Sequence, residues 1–135
     1  MQTSQRHTEL PSNLYCPVRP ANFPHTNIIY SNTAWAERLK MQSVLNSNKN
    51  WENHFGRFQP FDGAQAEPLA LCYHGHQFGV YNPDLGDGRG FLFAQCVDPV
   101  SGRLLDFGTK GSGQTPFSRS ADGRLTLKGA VRELL

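Results

Sequence analysis

The residues of this chain whose types and spacing can do chemistry lie between Leu85 and Glu133. In Gly86-Asp87-Gly88-Arg89-Gly90 the glycines take positive φ at no steric cost and leave their N–H groups open to an approaching anion. Arg89 adds a guanidinium able to make charge-assisted hydrogen bonds. Lys110 closes a strand-like run and Glu133 sits on a helix-like one. A lysine that neutralises phosphate oxygens needs a partner to hold its long side chain, and a glutamate on a neighbouring helix provides that restraint. Between them, Gly111-Ser112-Gly113-Gln114-Thr115-Pro116-Phe117-Ser118-Arg119 and Asp122-Gly123-Arg124 combine small donors with arginines, a composition that suits the edge of a phosphate site. Each part also has a plainer reading. Asp-Gly is an ordinary hairpin turn, any lysine and glutamate can be paired on paper, and a basic loop can be a solvated surface. The pattern G-x-x-x-x-G-K-[ST] is absent, which argues against a P-loop nucleotide site.

The elements that must position these groups are legible unevenly. Phe91 to Val97 reads as a strand, Asp98-Pro99-Val100-Ser101-Gly102 as a tight turn, and Leu104 to Lys110 as the antiparallel partner. Leu125, Leu127, Val131, Leu134 and Leu135 are compatible with one helix face that would carry Glu133. Residues 111–124 hold no regular element. Leu69-Ala70-Leu71-Cys72-Tyr73 is ambiguous between helix and strand, and 51–68 reads as loop, broken by Gly56, Pro60, Gly63 and Pro68. Ser31 or Asn32 can cap a helix over about 33–46, where Trp35, Leu39 and either Met41 or Val44 recur at helical spacing. The polar run Asn46-Ser47-Asn48-Lys49-Asn50 would end it. Residues 1–30 read as an extended arm packed on the body by Tyr15, Phe23 and Tyr30.

Bulk properties narrow the class. A chain of 135 residues suits one domain able to bury about two thirds of its unfolded surface. A net charge of +2 is too small to imply nucleic-acid binding by itself, although Lys110, Arg119, Arg124, Lys128 and Arg132 outweigh Asp122 and Glu133 where the motifs lie. The three cysteines, Cys16, Cys72 and Cys96, form neither an even set nor a C-x-x-C pair, so neither a disulfide framework nor a zinc site is suggested. Reduced thiols in a cytosolic compartment fit best. The first residues lack the apolar core of a secretory signal, and no apolar stretch approaches a membrane span. His74-Gly75-His76 could place two imidazoles on one strand face, yet no third ligand of suitable spacing accompanies them.

A glycine-rich turn, a strand lysine and a helical glutamate, in that order, are the plan by which kinase-like amino-terminal lobes hold ATP. Asp106-Phe107-Gly108 spells the kinase metal-binding tripeptide, but it precedes Lys110 on the same strand, where a kinase would not place it. Taken jointly, Tyr73-His74-Gly75-His76-Gln77-Phe78-Gly79, Leu85 to Arg89, Thr109 to Arg119, and Asp122-Gly123-Arg124 through Arg132-Glu133 strongly resemble the selenoprotein O family, protein adenylyltransferases on a pseudokinase fold. The resemblance covers about 69–135, the nucleotide-binding part of an α+β, kinase-like amino-terminal lobe with an antiparallel sheet and a few flanking helices. Residues 1–68 then form a leading arm and helix. Departures are mild: Phe117 stands where many members have tyrosine, Gln114 where many have proline, Ala121 where glycine is frequent, and Tyr81 in place of tryptophan.

The resemblance implies that ATP sits inverted relative to ordinary kinases, so that AMP passes to a Ser, Thr or Tyr hydroxyl of a protein substrate. It implies that Gly86, Gly88 and Arg89 contact nucleotide from the glycine-rich loop, Lys110 holds phosphates, Asp122 and Gly123 line the site, and Glu133 pairs with Lys110. Mg²⁺ or Mn²⁺, its carboxylate ligands, the catalytic base and two further arginines would belong to a following lobe. The expectation is therefore a chain cut at Leu135 before the catalytic lobe, with negligible transfer on its own. The rival expectations are a non-catalytic module gripping phosphate or nucleic acid, and an inert truncated product. The implied location is cytoplasmic in a bacterium, or mitochondrial in a eukaryote.

Overall fold

The apolar run around Phe93 becomes the central strand of a five-stranded antiparallel sheet in the computed structural model, which describes residues 1–134. In chain order the strands are β1 (Thr3–Ser4), β2 (Tyr15–Pro17), β3 (Ala64–Leu71), β4 (Gly75–Gln77), β5 (Val80–Asn82), β6 (Gly90–Val97) and β7 (Leu104–Lys110). The helices are α1 (Thr33–Arg38), α2 (Asn48–Trp51) and α3 (Leu127–Leu134). β7 pairs with β6 along its whole length, from Gly90↔Lys110 to Val97↔Leu104. β3 pairs with β6 from Ala64↔Ala94 to Leu69↔Leu92, and β1 takes up Gln95 and Cys96. β2 lies on the far side of β3, while β4 and β5 make a separate hairpin. The fold is thus α+β with antiparallel sheets and few helices. No helix among the described residues is long and apolar enough to cross a membrane.

β6 reads as a nearly continuous apolar run because it is covered on both faces. Phe91, Phe93, Ala94 and Cys96 are all 1% exposed or less. Phe55, Phe58 and Phe61 pack on Phe93 with ring centroids 6.0, 5.3 and 5.6 Å away, each close to edge-on. Such pairs add about 0.5–1.5 kcal/mol beyond the area they bury. On β7 exposed and half-buried residues alternate, as expected for a strand with one solvated face.

Four stretches depart from the sequence expectation. The helix expected over 33–46 ends at Arg38. Asn32 caps it as read, accepting from the Trp35 N–H at 3.2 Å. Its end is a Schellman turn built without glycine: Lys40 takes φ 55, its N–H donates to Glu37 O, and the Met41 N–H donates to Ala36 O. Leu39, Met41 and Leu45 are buried all the same. Their apolar spacing therefore reported burial, not a continuous helix.

The run Asn46–Asn50 does not simply terminate a helix, because Ser47 caps α2 by accepting from the Asn50 N–H. A π-helical turn over Glu52–Gly56 follows, then β3, so 51–68 is only partly loop. The leading arm is held less by aromatics than by backbone pairing through β1 and β2, since Phe23 and Tyr30 remain 38% and 60% exposed. A polar net secures it further. The His7 N–H donates to Gln95 Oε1 at 3.1 Å, Gln95 Nε2 donates to Asp106 Oδ1 at 2.7 Å, and His7 Nε2 meets Asp106 Oδ2 at 3.1 Å. Asp106 is thus a structural residue of the sheet. The β2–β3 pairing also brings Cys16 and Cys72 together as free thiols, with sulfurs 3.8 Å apart, which their spacing in the sequence did not suggest.

α1 is locked to the β6–β7 turn by Arg38, whose guanidinium forks onto Asp98, with Nε to Oδ1 at 3.0 Å and Nη2 to Oδ2. Ser101 adds an O–H donor to the same carboxylate, which is only 2% exposed. Arg38 first, then Ser101, hold the Asp98 carboxyl well below the usual carboxylate range. A carboxyl depressed in the folded state contributes stability above its unfolded value, near 3.9, and loses it as pH falls through the lower folded value. The melting temperature of the wild-type chain should therefore drop as pH is lowered below about 4. In Asp98→Asn it should start lower at pH 7 and fall less steeply with acid. Parallel acid limbs for the two proteins in a pH series of thermal melts would remove Asp98 from this role.

Candidate functional site

Antiparallel register decides where the chemistry collects. Because Gly90 pairs with Lys110, the end of β7 lies beside the start of β6 and hence beside the glycine-rich loop. The Gly111 N–H donates to Arg89 O at 2.8 Å, after which Gly111 turns the chain with φ 93. The loop itself is not the tip of a tight hairpin, as Asp-Gly had suggested. It continues the β3–β6 pairing outward: the Asp87 N–H donates to Leu71 O, the Gly86 N–H to Tyr73 O, and the Leu71 N–H to the Asp87 carboxylate at 3.0 Å.

Above this junction opens a cavity of about 670 Å³. Gly86, Gly88, Arg89, Lys110 and Gly123 line it, together with Arg119 and Arg124. Asp87 is the acidic residue of the wall, and its carboxylate is already engaged by the Leu71 N–H. The cavity is therefore cationic. At its rim Lys110 Nζ and Glu133 Oε1 are 2.7 Å apart, each side chain about half exposed. Lys110 by hydrogen bonding, and Arg89 by its nearby charge, hold the Glu133 carboxyl below the usual glutamate range. Glu133 reaches the lysine from α3, as the helix-like spacing implied. The far face of α3 carries Leu127, Val131 and Leu134, which are 62%, 47% and 57% exposed.

Asp122 stands apart from the others. It does not line the cavity but shapes the turn beside it, accepting from the Arg124 N–H at 2.9 Å with a side chain 70% exposed. Gly123 next to it takes φ 71 and leaves no room for a Cβ, which would sit 2.0 Å from Gly113 O. Arg124 also lies over the Phe23 ring at 5.2 Å, and Arg119 donates to Gln77 Oε1 on β4.

The donors of 111–124 read as phosphate contacts are mostly spent within the protein. Thr109 and Ser112 hydroxyls meet at 2.6 Å, Gln114 Nε2 donates to Ala121 O at 2.8 Å, and Thr115 and Ser118 hydroxyls donate to Asp87 O and Gly88 O. Phe117 packs directly beneath Gly86. Thr115, Phe117 and Ser118 thus brace the glycine-rich loop, a role that local sequence could not reveal because the contacts span about thirty residues. His74 and His76 both pack near Tyr81, with ring centroids 5.6 Å away. Among the described residues no group of three or more His, Cys, Asp or Glu gathers as a metal site.

The profile of the family described as "Protein adenylyltransferase SelO" matches residues 1–135. This chain belongs to that family. A SelO relative from Synechocystis, named "Protein nucleotidyltransferase YdiU", is 50% identical over 129 residues, which cover 93% of this chain and 25% of the relative. Relatives of the same name from Synechococcus elongatus and Vibrio atlanticus are 50% and 41% identical, covering 88% and 98% of this chain and 23% and 27% of their own lengths. The chain spans about a quarter of the length of the SelO relatives it matches.

The packing at Gly86 is open to test. At φ 48 a Cβ there would lie 2.2 Å from the Phe117 ring, whereas one at Gly79, φ 77, would meet nothing within 4 Å. Gly79→Ala should cost only the backbone strain, about 1 kcal/mol. Gly86→Ala should cost about 2–4 kcal/mol in urea unfolding, because overpacking adds to that strain. Equal losses for the two would deny the contact between Phe117 and the loop.

Proposed function

We propose that this chain is the nucleotide-binding part of a protein adenylyltransferase, with ATP as the nucleotide and AMP as the group passed to a Ser, Thr or Tyr hydroxyl of a protein substrate. The observation that carries the reading is the Lys110–Glu133 pair, 2.7 Å apart at the mouth of a cavity lined by the glycine-rich loop and by Arg89, Arg119 and Arg124. A triphosphate brings several negative charges, and a pocket that places guanidinium, ammonium and unhindered backbone against them stabilises it electrostatically.

In this reading Lys110 and Arg89 hold phosphate oxygens, and Glu133 keeps the lysine from wandering into solvent. Gly88 lets backbone approach the anion, Gly86 seats the loop on Phe117, and Gly123 lines the wall beside the turn that Asp122 shapes. The donor set, rich in cations and poor in free carboxylates, fits nucleotide phosphates better than it fits a bare metal ion. Mg²⁺ or Mn²⁺ would neutralise phosphate charge when bound, and among the described residues no group of three or more His, Cys, Asp or Glu gathers to hold it. The SelO family and the relatives named as nucleotidyltransferases support this assignment. The net charge of +2, with only Arg89, Lys110, Arg119 and Arg124 of the thirteen lysines and arginines gathered at the cavity, does not favour a nucleic-acid groove, which would show a steep salt dependence.

Calorimetric titration of ATP into the chain tests the proposal. Lys110→Ala should lose about 1.5–3 kcal/mol of binding, the range for charged hydrogen bonds, or roughly ten- to a hundredfold in affinity. Glu133→Gln should weaken binding less, because it only orients the lysine. Unchanged ATP affinity in a folded Lys110→Ala protein, or equal affinity of the wild type for ATP and inorganic phosphate, would sink the assignment.

A further inference from the structure

The glycine-rich loop has peptide planes that glycine leaves free to rotate, and fixing a backbone residue in one orientation costs about 1–2 kcal/mol. Two side chains from the 111–124 loop choose the orientation here. Thr115, 9% exposed, donates its hydroxyl to Asp87 O at 2.6 Å while accepting from the Phe117 N–H at 3.1 Å. The Ser118 hydroxyl donates to Gly88 O while accepting from the Thr115 N–H at 2.9 Å. Both hydroxyls are therefore used as donor and acceptor together, and neither is spare for a ligand.

The consequence lies on the other side of each peptide. The described residues contain no cis bond, so each N–H points opposite to the C=O of its own plane. With Asp87 O and Gly88 O drawn toward Thr115 and Ser118, the N–H groups of Gly88 and Arg89 are turned the other way. Gly88 and Arg89 line the cavity, and neither N–H donates to another group among the described residues. Two successive N–H groups without a partner among the described residues, on residues that line a cationic cavity, are donors an anion can use.

We propose that Thr115 and Ser118 are positioning residues: their hydroxyls hold the Asp87–Gly88 and Gly88–Arg89 peptides so that two adjacent backbone N–H groups bind a phosphate of the nucleotide. The proposal rests on the nucleotide reading above and adds to it a second set of donors, independent of Lys110. It explains why a chain that binds phosphate through backbone needs hydroxyl residues about thirty positions away. It also separates two kinds of contact at this site, side-chain charge for affinity and oriented amides for the placement of one phosphate.

The test uses Thr115→Val, which keeps shape and removes the donor, Ser118→Ala, and the conservative Thr115→Ser. ATP and inorganic triphosphate are titrated calorimetrically into each, with thermal melts alongside, and the Gly88 and Arg89 amide resonances are followed by NMR. Thr115→Val and Ser118→Ala should each bind both ligands about five- to tenfold more weakly, the worth of one ordinary hydrogen bond. Thr115→Ser should recover the wild-type affinity. In the wild type and Thr115→Ser the two amide resonances should move on adding triphosphate, and in Thr115→Val they should move much less. Should Thr115→Val fail to fold, Ser118→Ala decides. Wild-type affinity in the folded donor-less variants, with Lys110→Ala still impaired, overturns the positioning role and leaves the nucleotide reading standing. Failure of the wild type to bind either ligand overturns both.

Discussion

The antiparallel pairing of β6 with β7 is the constraint on which the site depends. A ladder in which Gly90 faces Lys110 delivers an ammonium to the base of the glycine-rich loop without any residue having to be placed there separately. Register in such a ladder is set by which side chains can be buried, since a one-residue slip would turn every inward residue outward. Phe91 and Phe93, wedged against Phe55, Phe58 and Phe61, make that slip prohibitive. The aromatic core thus has a functional consequence at a distance: it keeps the cation where an anion can meet it.

Around this fixed lysine the remaining groups divide by how they are held. Glu133 comes from a helix, Arg89 from the glycine-rich loop, and Arg119 and Arg124 from an irregular loop closed by the Ser112↔Arg124 bridge. An irregular loop is a poor scaffold unless its polar backbone finds partners, and here it spends its hydroxyls on the neighbouring glycine-rich loop. The two loops are therefore braced as a pair. Gly111, Gly113 and Gly123, all at positive φ, permit the close approaches to Leu125, Ala21 and Gly113 that this bracing needs. Arg38 and Asp98 secure the opposite end of the β6–β7 hairpin, beside the cluster in which Ala36 and Leu39 pack with Cys96, Leu105 and Phe107.

Membership of the SelO family and a span of about a quarter of its relatives' length give the site its context. The exposed leucines and valine of α3 belong to the same element as Glu133. An ion pair whose lysine and glutamate are each half exposed is electrostatically weak until water is excluded from it, because surface ion pairs contribute little in high dielectric.

How far the chain could be read before its fold was known follows the range of the interactions. Local patterns were enough for β6, the Asp98–Gly102 turn, β7, the Asn32 cap and α3, since alternation, turn chemistry and helical spacing act within a few residues. The order of glycine turn, lysine and glutamate also pointed to the place where Lys110 meets Glu133 beside the glycine-rich loop. The premature end of α1 escaped notice because Lys40 adopts a conformation ordinarily left to glycine, at a cost that local propensity does not reveal. Only the tertiary structure could spend the donors of Thr115 and Ser118 on the glycine-rich loop, move Asp122 to the margin, and seat β1 and β2 on the sheet. Each of those outcomes depends on hydrogen bonds between segments distant in sequence, and no local pattern encodes which distant carbonyl a hydroxyl will find.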